Sequence, residues 1–430
     1  MRPNWWNQLP AACLTAALCV GGGSGVFAAT ETGRVAGGAE EAAEDVDWPA
    51  VITRLRQEVQ RRSGFKPLRE QLAVALNNYG VELAETGDWA QARVQLHEAI
   101  AMEPDNAQFS KNLASTYVSE AHNLVQGRRM REAKAAIEEA IRLDPGLPQA
   151  YALLGDIEYD QQQLKAARTA WERAIELDPG VDGVAERLER VTQELPVESK
   201  FERLSQAYFD IRYEGTALDR PVGFDVRNAL LEARREVGRD FAYWPKYKIV
   251  VLVYAADSFR ELRQETPEWV GGQYDGKIRV PLPGGEFDIG LVKQILFHEY
   301  THALIHDQAN GHCPVWLNEG IAEYEGRKYG PQRLEALRAA WLERRLYPLA
   351  TLDDQFAMGL PVEQVTLGYQ QSYSVVRYLV ERYGFWRLRR MLTAMAGGKT
   401  WLDLLREELH LKPEQLEADW ARWLPGLFAG

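Results

Sequence analysis

The sequence predicts a multidomain chain, an all-α array of helical repeats followed by an α+β domain. Three observations predict it. The chain has 430 residues, more than one hydrophobic core usually organises. In the first half, a spacing of small and large apolar residues returns with a 34-residue step between Pro145 and Pro179, the mark of stacked helix pairs. Beyond residue 200 the pattern changes to strands first and helices after, the order of an α+β domain.

The first residues read as an export signal. Arg2 is the only charge before Thr30, an apolar run "LPAACLTAALCV" begins at Leu9, and Val26-Phe27-Ala28 offers a cleavage site. The run is about 12 residues long, against about 20 needed to span a bilayer. Residues 1–28 are therefore expected to be a signal peptide, and the chain to be exported, periplasmic or secreted. Residues 29–46, rich in Gly, Ala and Glu, suit a flexible linker. Cleavage would remove Cys13 and Cys19 and leave Cys313 alone, so no internal disulfide is expected. No other segment is long and apolar enough to span a membrane. The net charge of −12 argues against a nucleic-acid partner, which would need a basic face.

"DWPAVITRLRQEVQRR" (47–62) reads as a first helix. One repeat unit is then Leu76, Tyr79-Gly80, Leu83, Ala92, Leu96, Ala99, Pro104. Another is Tyr151, Leu154-Gly155, Glu158, Ala167, Trp171, Ala174, Pro179. A middle unit keeps Leu113-Ala114, Tyr117, Ala133, Ile137, Ala140 and Pro145. It carries seven extra residues, in a longer helix pair or loop around "SEAHNLVQGRRM". Small residues let paired helices approach, large ones fill the gaps, and each Asp-Pro or Glu-Pro ends a second helix. "GVAERLERVTQEL" fits a capping helix. The pattern resembles the tetratricopeptide repeat, three units plus flanking helices over 47–196. That resemblance implies a superhelical groove that binds a protein partner or peptide.

In the second half, "YFDIRYEG" alternates Phe209, Ile211, Tyr213 and reads as a half-buried strand. A helix over roughly 222–239 follows, then "YKIVVLVYA", a buried strand. An Asp275-Gly276 turn leads into a strand over 277–281. From "FDIGLVKQILFHEYTHALIHD" onward the pattern is helical with breaks at Gly and Pro.

The chemistry concentrates in "HEYTHALIHDQANGHCPVWLNEGIAEYEG". It starts at His298 and holds four of the seven histidines and five acids. His298 and His302 are four apart and share a helix face, with Glu299 beside them. Two neutral imidazoles suit Zn2+, and the adjacent carboxylate can reach a water on the metal. Composition alone gives roughly 0.02 chance matches to this spacing. His306 lies one turn too far along the helix to share an ion with His298. His312 and Cys313 fall in a loop, read as running from His306 to Pro314. Ile305 and Gln308 stand where the long metzincin motif has Gly and His. Glu319 and Glu323, four apart on a second helix, remain. One can bind the metal while the other holds a ligand imidazole through its free N–H.

At these residues the sequence resembles the gluzincin metallopeptidases of clan MA. "WLNEGIAEY" is similar to the "WLNEGFA" stretch of the M1 aminopeptidases. "YQQSYSVVRYL", beginning at Tyr369, is similar to the helix that carries their catalytic tyrosine, with Ser372 in place of a glycine. The resemblance implies one zinc ion per chain held by His298, His302 and Glu319. It makes Glu299 the general base and proton shuttle, Glu323 the orienter of His298, and Tyr369 the donor to the oxyanion, with Tyr373 in reserve. Together with the repeats it implies the peptidase-MA-like domain found next to tetratricopeptide repeats in exported bacterial proteins, over 200–430. The expected fold class is thus an all-α tetratricopeptide-repeat superhelix followed by an α+β gluzincin-like metallopeptidase domain. The strand Lys277, Ile278, Arg279, Val280 is expected to be the sheet edge that pairs with an extended peptide substrate. "GGQYDG" lacks the glutamate with which M1 enzymes read a substrate amino terminus, which favours an endopeptidase over an aminopeptidase. The remaining reading is a non-catalytic repeat scaffold with a peptidase-like zinc domain.

Overall fold

The computed structural model describes residues 46–215, 220–262, 272–282, 288–329, 334–357 and 360–429. The expected signal peptide and nearly all of the linker lie outside the described residues. The chain divides into two compact units, with the boundary between Thr192 and Gln193.

Among its described residues the first unit is built of helices joined by turns. Its elements are α1 (Trp48–Arg61), α2 (Lys66–Glu85), α3 (Trp89–Met102), α4 (Ala107–Gln126), α5 (Met130–Leu143), α6 (Pro148–Asp160) and α7 (Leu164–Leu177), followed by α8 (Val184–Glu198). Asp47, Asp88 and Asn106 cap three of the helices by accepting from backbone N–H groups one turn in, which satisfies donors that a helix start leaves open. The paired helices close on the small residues: a Cβ added at Gly155 would lie 2.3 Å from the Trp171 indole, and one at Gly80 2.7 Å from Leu96 Cγ. The seven extra residues of the middle unit are helical, since α4 has 20 residues where α6 has 13.

The second unit carries a five-stranded mixed sheet, order β1-β2-β3-β5-β4, with β1 (Glu202–Ser205), β2 (Phe209–Tyr213), β3 (Ile249–Ala255), β4 (Gln273–Tyr274) and β5 (Ile278–Leu282). β2, β3 and β5 run parallel; β1 and β4 flank them antiparallel. α9 (Arg220–Phe241) connects β2 to β3, and α10 (Ala256–Leu262) follows β3. The continuous apolar run of β3 is explained by burial on both faces. Val251 and Val253 join Ile278 and Val280 in the main core with α9, while Leu252 and Tyr254 pack with Phe259 on the other face.

The helices that follow are α11 (Ile289–Ala309), α12 (Val315–Gly326), α13 (Glu335–Leu342), α14 (Val362–Tyr383), α15 (Phe385–Met395), α16 (Trp401–Leu409) and α17 (Pro413–Ala429). α11 is apolar on nearly every face, as a helix through the middle of a core must be. Asp288 caps its start. Asn310 ends it in the left-handed region at φ 49°, three residues later than the sequence implied. Pro314 then starts α12, whose Trp316 N–H is accepted by Asp353 at 2.8 Å.

Candidate metal centre

Three helices come together at the site, and glycines set how closely. A Cβ at Gly320 of α12 would lie 2.6 Å from the Ser372 carbonyl oxygen of α14. One at Gly326 would lie 3.0 Å from the Gln294 carbonyl oxygen and 3.3 Å from His298 Cβ of α11. These contacts carry Glu319 and Glu323 up to the histidines of α11.

His298 and His302 project from one face of α11, their Nε2 atoms 3.0 Å apart. Glu319 Oε2 lies 3.4 Å from His298 Nε2 and 3.5 Å from His302 Nε2. The Nδ1 atoms face acceptors on α12: His302 Nδ1 is 2.9 Å from Asn318 Oδ1, and His298 Nδ1 is 3.3 Å from Glu323 Oε1. Donation at Nδ1 leaves each Nε2 with its lone pair turned inward. The triangle of 3.0, 3.4 and 3.5 Å has a circumscribed circle of radius about 1.9 Å, close to the ~2.0–2.2 Å reach of zinc to imidazole and carboxylate. Glu319 is fully buried and neither of its carboxylate oxygens has a hydrogen-bond partner. A buried anion with two open oxygens beside two inward lone pairs is a cradle for a cation, and these residues fit one zinc ion.

Glu299 is 4% exposed, its Oε2 unpartnered, and its Oε1 packs where a Cβ on Gly272 would fall 2.8 Å away. A ligand atom from each of His298, Glu299 and His302 lies within 4.8 Å of the others, so the carboxylate borders the same space. Burial raises its pKa, which the two imidazoles only partly offset. Without an ion, burial pushes the Glu319 carboxyl up, but His302 and His298 outweigh this and bring it down to about 2. Burial likewise opposes charge on His298, yet Glu319 and Glu323 hold its imidazolium well above the ordinary range. The structure thus favours positive charge at the centre of the triangle.

Tyr369, on α14, is half-buried, edge-on to Phe356 at 5.1 Å between ring centroids. Burial raises its hydroxyl's pKa well above 10, and the charges of Glu319, Glu323 and Glu299 raise it further, so it shares their field as a neutral donor. Tyr373 is 2% exposed, its hydroxyl accepting from Arg377 Nη1 at 3.2 Å, with the Arg327 guanidinium over its ring. His306 packs edge-on to Tyr274 at 6.2 Å and is not in the triangle. Cys313 remains a thiol, its pKa raised by burial and then by Asp353 and Glu319.

One expectation is corrected. In the stretch Lys277, Ile278, Arg279, Val280, the residues Ile278 and Arg279 are not an open sheet edge. β5 pairs with β3 on one side, and Ile278 and Arg279 pair with β4 on the other. All four residues are 2% exposed or less. The Lys277 ammonium is buried beside Arg279, which brings its pKa down to about 8. Arg279 points to the face away from α11, where Glu198 at 2.7 Å, Glu194 at 3.2 Å and Asp275 at 3.2 Å bind it. Among the described residues the outer strand is β4. Sequence reasoning also missed Asn318, although it stands directly before Glu319 in "NEG", and the Arg327 that binds Glu323 at 2.5 Å.

Residues 248–426 match the model of the Peptidase MA superfamily, and residues 118–182 that of the tetratricopeptide repeat. Along the chain the tetratricopeptide-repeat match thus precedes the peptidase MA superfamily match. Among solved structures it is similar to the first TPR of Spaghetti (RPAP3) bound to an HSP90 peptide, at 23% identity over 30% of this chain and 95% of that chain, with a TM-score of 0.23. The NMR structure of the first TPR domain of human RPAP3 is similar at 22% identity over 30% of this chain and 94% of that one, also with a TM-score of 0.23. A comparison with curated proteins gives no match. Among the described residues, no helix is long and apolar enough to cross a membrane.

Proposed function

We propose that the chain is a zinc-dependent metallopeptidase that hydrolyses internal peptide bonds of exported proteins or peptides, with the repeats binding a substrate or partner protein. The observation that carries this reading is the triangle of two inward imidazole nitrogens and one unpartnered carboxylate, with a second unpartnered carboxylate, Glu299, beside it.

His298, His302 and Glu319 would hold the ion. Zinc, when bound, supplies Lewis acidity that activates water and polarises the scissile carbonyl. Glu299 accepts the proton of the attacking water and passes it to the leaving amine. Burial supports the first of these steps, because a raised pKa makes the carboxylate a better acceptor for the water's proton. The Tyr369 hydroxyl donates to the oxyanion as negative charge develops. Asn318 and Glu323 keep the two rings turned so that Nε2 faces inward.

The test is cleavage of an unfolded protein and of peptides with acetylated amino termini. Both should be cut, and a zinc chelator should abolish both activities. Cleavage only of peptides with a free amino terminus would make the chain an aminopeptidase. A chain that binds one zinc and cuts nothing would be a scaffold.

A further inference from the structure

We propose that Arg327 is a positioning residue for the metal centre: it pins Glu323, and through Glu323 and His298 it sets how tightly the centre keeps its ion. The proposal rests on the reading of His298, His302 and Glu319 as metal ligands.

Glu323 divides its two oxygens. Oε1 faces His298 Nδ1 at 3.3 Å, and Oε2 accepts from Arg327 Nε at 2.5 Å. Both side chains are mostly enclosed, Arg327 at 11% and Glu323 at 15% exposure. Arg327 is the C-cap of α12, one turn after Glu323, so its backbone is fixed by the same helix. Its guanidinium is fixed from the other side, 5.0 Å over the Tyr373 ring. Tyr373 is itself held by Arg377, which also binds Glu381 at 2.8 Å. Arg327 therefore joins the ligand-bearing helix to α14, the helix of Tyr369.

Charge gives the reason for a cation here. Glu299, Glu319 and Glu323 surround the triangle, and a divalent ion would leave one negative charge uncompensated. Arg327 cancels it. Geometry gives the reason for arginine. A planar guanidinium can stack on Tyr373 while its edge N–H reaches Glu323; a lysine ammonium cannot do both. Without Arg327, Glu323 would be an enclosed carboxylate with no cation bound to it. It would turn toward water, and His298 would lose the acceptor that aims its ring.

The experiment is competition for Zn2+ between the full chain and a chromophoric chelator. The variants are Arg327→Met, Arg327→Lys, Glu323→Gln and the Glu323→Gln/Arg327→Met double, each with a melt of the metal-free protein. Arg327→Met should weaken zinc binding about 10-fold or more, within the ~10–100-fold range of outer-sphere partners. Arg327→Lys should recover part of the loss, and the double should bind no more weakly than Glu323→Gln alone. Arg327→Gln replaces Arg327→Met should the latter not fold. Unchanged affinity in Arg327→Met, or losses that add in the double, would overturn the proposal while leaving the ligands intact. A wild-type chain that binds no zinc would overturn the ligand assignment, and this proposal with it.

Discussion

Asp156 in the repeat unit and Glu319 in the second unit are both buried acids, and the protein treats them oppositely. Asp156 is 3% exposed; each of its oxygens accepts from Arg187 Nη1 at 2.7 Å, and Oδ1 also accepts from the Trp171 indole at 3.1 Å. Glu319 is fully buried with neither oxygen hydrogen-bonded, and Glu299 leaves one oxygen open. A buried polar atom without a partner costs about 1–3 kcal/mol, more for a charge. In the repeat unit the buried charge of Asp156 fixes packing, with both of its oxygens hydrogen-bonded. The second unit leaves the oxygens of Glu319 and Glu299 open where an ion and a substrate could close them.

The largest effect that tests this contrast is on turnover. Glu299→Gln should lower kcat by about 10²- to 10⁴-fold. It should keep its zinc, because Glu299 is not among the three proposed ligands, and lose little thermal stability, because burial disfavours the charge that the substitution removes. A fully active variant would sink the mechanism. In the repeat unit the same kind of change should act on stability alone. Asp156→Ala strands the 7%-exposed Arg187 and should cost about 3–5 kcal/mol in a denaturant melt, with zinc content unchanged. Gly320→Ala is smaller but couples both readouts. Its Cβ would press on the Ser372 carbonyl and Val376, costing about 1–3 kcal/mol and moving the helix of Tyr369, so kcat should fall with stability.

The last effect is on pH dependence. Glu325 is fully buried with Oε1 unpartnered, and burial outweighs Lys328 to raise its pKa from 4.5 to about 7. Between those values the folded chain keeps a proton that the unfolded chain has lost, so stability falls as pH rises through that window. Glu325→Gln should therefore match wild type near pH 4 and gain on the order of 3 kcal/mol by pH 8. A gap that does not widen with pH would show that Lys328 fully compensates the charge.

The site was legible where chemistry follows a short period. His298, Glu299 and His302 are readable because helical spacing aligns them; spacing leaves Glu319 and Glu323 open, and only the resemblance of "WLNEG" to the gluzincin stretch picks Glu319. The repeats were legible because small and large residues recur at fixed offsets. The sheet edge was misread for a physical reason: β4 is only Gln273–Tyr274, too short to show alternation, yet it is enough to bury the next strand. β1 escaped because "ERLS" is polar and mostly exposed, and its pairing with β2 is made by the backbone. Asn318, Arg327 and the Asp353 cap act through contacts that no periodicity marks.

The turn at Asn310 and Gly311 has one further consequence. It lets α11 and α12 pair as neighbours in sequence, so the ion-binding atoms span only about 20 residues from His298 to Glu319. Tyr369 is about 50 residues further on. Closing a short loop costs little chain entropy, and local contacts form early in folding. On the proposed reading, the hairpin that would hold the ion therefore closes at a smaller entropic cost than the longer loop that brings Tyr369 to it.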